Sequence, residues 1–233
     1  MFLRKIGVSI TKIILPFFYK ILQALKTNTR AINFLNEKKI RANDNYNLQT
    51  SVEKILGKKK LIALDVGSQG GFNSDKFFPS KYNKYFKSVL VDPLNNTSIQ
   101  GEDEQIINKG LWSSKCTKEL FILGKRPGSS SMFEPNKKSL PIYGFKEKDF
   151  HLFDITKTQM VECDTLSSNL NKINIDTLDY LKIDTQGAEL EILKGIGSYR
   201  PLMIKCEAQI FPMYKNIYNW TEISNFLYKL DYI

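Results

Sequence analysis

The chain has 233 residues, 42% of them hydrophobic and 25% charged, with 8 Pro and 13 Gly; this suits one globular domain with additions and excludes disordered, collagen-like and low-complexity architectures. The formal net charge is +10, but residues 1–60 carry 13 Lys/Arg against 3 Asp/Glu whereas residues 61–233 carry 21 of each, so the whole excess sits in the first quarter. Lysines number 29 and arginines 5, and because Arg makes the forked contacts to phosphate and guanine, the skew speaks against a reader of nucleic-acid sequence.

Residues 2–26, FLRKIGVSITKIILPFFYKILQALK, bring Ile6, Ile10, Ile13, Ile14, Phe17, Ile21, Leu22 and Leu25 to one helical face and leave Lys5, Lys12 and Lys26 on another. Pro16 breaks or kinks that helix. The longest uncharged run there, Ile13 to Tyr19, is 7 residues, against the roughly 20 that a membrane span needs. Lys12 interrupts a signal-peptide reading. Two expectations remain for residues 1–50: a basic amphipathic arm lying on a membrane surface, or a helix pair that covers the domain or forms an oligomer contact. After an Asn-rich loop, Thr50 to Glu53 has the pattern of a capping box, with Gly57 as a stop. The main domain is placed at residues 51–233.

Residues 61–71, LIALDVGSQGG, read as a buried parallel strand running into a Gly-rich turn, with FNSDKFF as the first turns of a helix. A second strand, SVLVDP (88–93), ends in Asp92, placed where an acid accepts both ribose hydroxyls of a nucleotide. The dinucleotide fingerprint GxGxxG does not fit, because Gln69 stands where its second glycine belongs. A side chain there obstructs a pyrophosphate and argues against a nicotinamide or flavin dinucleotide. An acid two residues before the first glycine suits S-adenosylmethionine, whose amino-acid end carries an ammonium. A P-loop lysine is absent.

Further on, Tyr180 to Ile183 reads as a strand ending at Asp184. A turn, Thr185-Gln186-Gly187, then opens a helix carrying Glu189 and Glu191 in its first turn, where the helix dipole favours acids, with Gly195 as its stop. PLMIKCE (201–207) gives another strand, ending in Glu207, and a last helix is expected over Thr221 to Leu230. Asp65, Asp92, Asp184 and Glu207 thus fall at the carboxyl ends of strands, where open α/β sheets bind ligands. Asp184 and Glu207 are the candidate catalytic pair: a general base, a shared proton or a metal site. A capping role is the plain alternative for each. His151, in KDFHLFD, is a further candidate base, and Trp112 and Leu94 are candidate walls for an adenine. The three cysteines, Cys116, Cys163 and Cys206, form neither a CxxC pair nor a zinc pattern, so a reducing, cytoplasmic setting is expected.

Six stretches together resemble the FkbM-like family of S-adenosylmethionine-dependent methyltransferases: DVGSQGGFNS (65–74), VLVDP (89–93), GSSSMFEPN (128–136), VECDTLSS (161–168), LKIDTQGAELEILKG (181–195) and CEAQIFPMYKN (206–216). The resemblance implies a doubly wound, mostly parallel Rossmann-like sheet of the class I methyltransferase type. It implies O-methylation of a hydroxyl on a sugar, glycolipid or secondary metabolite. It implies cofactor contacts at Asp65, Gly67, Gly71 and Asp92, with the Ser129-Ser130-Ser131 loop near cofactor or acceptor. A divalent metal is compatible with it but not called for. The sequence departs from the pattern after the last helix, where the usual C-terminal strand pair does not follow; a truncated hairpin is expected. Two rival readings are a non-catalytic binding or scaffolding module with the same fold, and a nicotinamide-dependent oxidoreductase. Nucleic-acid methylation is disfavoured, since NPPY-type and Pro-Cys motifs are absent.

Overall fold

The computed structural model describes residues 54–69, 84–94 and 103–232. By its contacts the chain divides into two units, residues 1–59 with 76–81, and residues 60–75 with 82–233. Of the first unit only residues 54–59 are described: residues 54–56 are helical, and Gly57 follows in the left-handed region, φ 58°. The amphipathic arm lies outside the described residues.

In the second unit, eight described strands form two sheets. Strands β1 (Leu61–Val66), β2 (Phe86–Val91), β3 (Glu104–Ile107), β7 (Tyr180–Ile183) and β8 (Met203–Cys206) make the larger one, in the order β3-β2-β1-β7-β8. Every pairing in it is parallel. This is the doubly wound, Rossmann-like α/β sheet, and β1 and β7 fall on the residues read as strands from sequence. Their near-continuous apolar runs are what a strand covered on both faces requires. Leu64, Val66, Val89, Val91, Leu181 and Ile183 join one core cluster.

One rung of this sheet is charged. Asp65 on β1 is in register with Lys182 on β7, which is in register with Lys205 on β8. Side chains in register on neighbouring strands share a face. Asp65 is 0% exposed, and Lys182 Nζ donates to its Oδ1 at 2.8 Å.

The smaller sheet joins β4 (Gly110–Leu111), β6 (Ile155–Asp164) and β5 (Cys116–Leu123), with β6 central, parallel to β4 and antiparallel to β5. The sequence reading did not anticipate it. Between β5 and β6 the chain makes short 3-10 helices at Pro127–Ser129, Lys137–Tyr143 and Glu147–Phe153. Leu123, Leu140 and Phe153 form a satellite core beneath them.

Three α-helices are described: α1 (Leu166–Lys172), α2 (Glu189–Lys194) and α3 (Trp220–Tyr228). Thr165 caps α1 by accepting from the Ser168 N–H at 3.0 Å. Asp164 accepts from the Thr165 N–H, the Ser168 hydroxyl and Lys172, and these donors, led by the lysine, hold its carboxyl down at about 2. The stretch VECDTLSS therefore serves a helix start. Helix α2 buries Leu190, Ile192 and Leu193 against the core and stops at Gly195. Asn219 and Glu222 form a capping box that starts α3. No described helix is long and apolar enough to cross a membrane.

Candidate functional site

The hydrogen-bond ladder of the larger sheet runs one residue past its strands. The Gly67 N–H donates to Val91 O, the Asp184 N–H to Val66 O and the Glu207 N–H to Ile183 O, at 2.9, 3.0 and 3.0 Å. The Asp92 N–H donates to Ile107 O at 3.3 Å. Asp92, Gly67, Asp184 and Glu207 are thereby fixed along one sheet edge by the backbone itself.

Gly67 has φ +79°, and a Cβ there would lie 2.0 Å from the Asp184 carbonyl oxygen. The glycine is thus required by the protein's own close approach of β1 to β7, quite apart from any ligand. Gly71 lies outside the described residues.

A pocket opens along this edge. Its wall includes Gly67, Asp92, Leu94, Leu111, Met132 and Ile192, together with Asp184, Thr185 and Gln186 and with Pro127, Gly128 and Ser130. Asp92 is buried and accepts from the Leu94 N–H at 2.8 Å; burial pushes its carboxyl above the ordinary range, against that hydrogen bond. A polar cleft adjoins the pocket and shares Gly67, Gln69, Gly128, Asp184 and Gln186 with it, adding Lys182 and Lys205. Gln69 lies against Gly128, where a Cβ would come within 2.7 Å of its Oε1.

Asp65 is not on the wall of that pocket. Its carboxylate is fully buried as counter-charge to Lys182, which lines the adjoining cleft. Lys182 was missed by the sequence reading, although a lysine one residue from the end of an apolar strand, opposite an acid one residue from the end of another, was a usable signal. Trp112 also lies off the pocket, under the Lys118 ammonium at 4.2 Å and beside Phe133. His151 is exposed, with Nδ1 2.6 Å from Lys148 O, and lies off the pocket wall as well.

Asp184 and Glu207 do come together. Gln186 Nε2 donates to Asp184 Oδ1 at 2.9 Å and to Glu207 Oε2 at 2.7 Å. Burial, then the nearby Asp184 and Glu189 carboxylates, push the Glu207 carboxyl up to about 7. Glu189 faces inward and pins the turn, accepting from the N–H groups of Thr185 and Gly187 and from the Thr185 hydroxyl. Its own carboxyl is raised, chiefly by burial. Glu191 instead accepts from Ser113 and Lys194. Tyr214 is 0% exposed, and its hydroxyl lies 2.7 Å from Ser129 O and 3.0 Å from Gln186 Oε1. The serine loop is joined to the same turn, because the Ser131 hydroxyl donates to Gln186 O at 2.7 Å.

Among the described residues, no group of three or more His, Cys, Asp or Glu is arranged to hold a metal ion. The N–H groups between Asp184 and Glu207 make that pair a poor cation cage. The pocket does fit an adenosyl cofactor: an apolar wall for a flat base, and a buried carboxylate at the end of the second strand for paired hydroxyls.

No curated protein and no solved structure matches the chain. A family model does: the methyltransferase FkbM domain, over residues 31–233. The match begins ahead of the six motifs and takes in every residue of the pocket.

Proposed function

The chain belongs to the FkbM methyltransferase family, and from that premise we propose that it transfers the methyl group of S-adenosylmethionine to a hydroxyl oxygen of a sugar, glycolipid or secondary metabolite. The observation that carries the reading is a single pocket joining the buried Asp92 carboxylate to the Asp184–Gln186 turn. Asp92 would hold the ribose hydroxyls, Leu94 and Leu111 would flank the adenine, and Gly67, on the pocket wall, would lie against the cofactor. Once bound, the cofactor supplies a methyl group already activated on a sulfonium. The protein's part is then to position an acceptor hydroxyl and take its proton.

That proton falls to the Asp184–Glu207 pair, with Asp184 as first candidate and Glu207 as its partner. A hydroxyl is a weak nucleophile, and a carboxylate at hydrogen-bond distance draws its proton away as the new C–O bond forms. Glu207 is half-buried and binds a proton more tightly than an exposed carboxylate, which suits it to keep the proton that Asp184, at the pocket wall, first meets. Methyl and proton are both accounted for: the methyl goes to the acceptor oxygen and the proton to a carboxylate.

Calorimetric titration with S-adenosylhomocysteine tests the cofactor reading. Wild type should bind in the micromolar range, about −8 kcal/mol. Asp92→Ala should weaken that at least tenfold while the fold, followed by circular dichroism, is kept. Equal affinity in the two proteins, or no binding by folded wild type, would overturn the reading.

A further inference from the structure

We infer that Gln186 is the positioning residue of this site: its amide, oriented by the two acids, ties Asp184 on the pocket wall to Glu207, which is not itself a wall residue, as one proton-accepting unit. The inference rests on the methyl-transfer reading for its purpose, but its geometry stands independently.

The amide is fully committed. One nitrogen makes two donations, to Asp184 Oδ1 at 2.9 Å and to Glu207 Oε2 at 2.7 Å. An amide nitrogen has two protons, so neither is left over. The amide oxygen lies 3.0 Å from the buried Tyr214 hydroxyl, whose one proton it shares with the nearer Ser129 O at 2.7 Å. A flipped amide would set its oxygen between two carboxylates, so the two acids select one orientation. Each carboxylate keeps lone pairs for an acceptor hydroxyl.

The backbone is held in place as firmly. Gln186 has φ +61°, in the left-handed region that a residue with a long side chain rarely occupies. Such a conformation persists only where the surroundings over-determine it. Here Ser131 donates to its carbonyl, Glu189 binds the N–H groups on either side of it, and a Cβ on Gly187 would meet Ile217 at 2.5 Å. A turn that needed only a left-handed residue would be served by Gly or Asn. Gln is the residue whose amide also reaches both acids. It lines both the pocket and the adjoining polar cleft.

The groups facing Glu207 set the sign of its response. Asp184 beyond β7 and Glu189 on α2 raise its proton affinity, and Gln209 beyond β8 lowers it. The hydroxyls of Tyr214 and of Tyr143, from the Lys137–Tyr143 helix, lie within reach of its charge. Lys182 and Lys205 line the cleft that Asp184 shares. Two donations to charged carboxylates favour the charged forms, so removing the amide should make the pair hold its last proton to higher pH.

The test is a pH titration by carboxyl ¹³C NMR of the full chain labelled at glutamate, the Glu207 signal being identified by its loss in Glu207→Gln. Gln186→Asn tolerates the left-handed backbone but is too short to bridge; the Glu207 midpoint should rise by about one unit, tenfold in proton affinity. Gln186→Glu removes both donors and adds a charge, and should move it further. A midpoint unmoved in Gln186→Asn and Gln186→Glu overturns the inference, and Gln186→Asn decides alone if the glutamate variant does not fold. A merely structural role would lower the melting temperature and leave the midpoint in place. Affinity for S-adenosylhomocysteine is read on the same samples. Its absence in wild type would defeat the methyl-donor reading without touching the clamp.

Discussion

Glu207 shows how far one residue's chemistry is set by its surroundings. In an unfolded chain its carboxyl titrates at roughly 4.3, whereas burial, with Asp184 and Glu189 nearby, pushes it up to about 7. The folded chain therefore binds this proton more tightly than the unfolded one. The resulting stability is complete below the unfolded value and is lost as pH rises through about 7. Glu207→Gln, permanently neutral, should melt a few degrees above wild type at about pH 8.5, on the order of 2 kcal/mol, and level with it near pH 4. Thermal melts at both pH values check this, and identical melting at the higher one would refute it. Methyl transfer by wild type should rise across the same interval as the pair gives up its last proton. Little of this was legible beforehand. The acids at strand ends were visible in the sequence, but a glutamine in a left-handed turn leaves no compositional trace. Nothing in MYKN marks Tyr214 as the residue whose hydroxyl meets its amide oxygen.

Between elements, the register of β1 and β7 matters most. It sets Asp65 against Lys182 inside the sheet, both nearly or fully buried. Taking one charge away from such a pair leaves the other less compensated in a poor solvent. Lys182→Met should cost about 3–5 kcal/mol, whereas Asp65→Leu with Lys182→Met should recover a large part of it. Denaturant unfolding of the wild type, both single variants and the double decides. A double variant no more stable than Lys182→Met would show that the pair does not act as a unit. The strands themselves were readable because buried parallel strands write themselves as apolar runs. The β4-β6-β5 sheet was not. β6 runs Ile155–Asp164 with an exposed first half, ITKTQMVECD, so that its apolar alternation is broken. Its identity as a strand comes from β5, more than thirty residues earlier in the chain for the pairing of Leu123 with Ile155.

At the scale of the whole molecule the charge divides as the sequence does, with the excess in residues 1–60 and neutrality beyond. The amphipathic stretch 2–26 motivates the proposal that the chain meets an anionic membrane surface, setting its site beside lipid-linked acceptors. Full-length protein should pellet with phosphatidylserine-containing vesicles, and protein lacking residues 1–40 should not; equal pelleting would sink the proposal. What the sequence determined by itself was the α/β class, the strands β1, β2, β7 and β8, and the acids at their ends. Each of these follows from local pattern, an apolar run closed by glycine or an acid. What only the tertiary structure decided was which acids meet and what they meet. Asp65 is matched by a lysine from 117 residues away, and Asp184 and Glu207 are joined through Gln186. The reason is physical: a side chain's charge state and partners depend on neighbours brought in by strand register and burial, and those distances exist only once the sheet has closed.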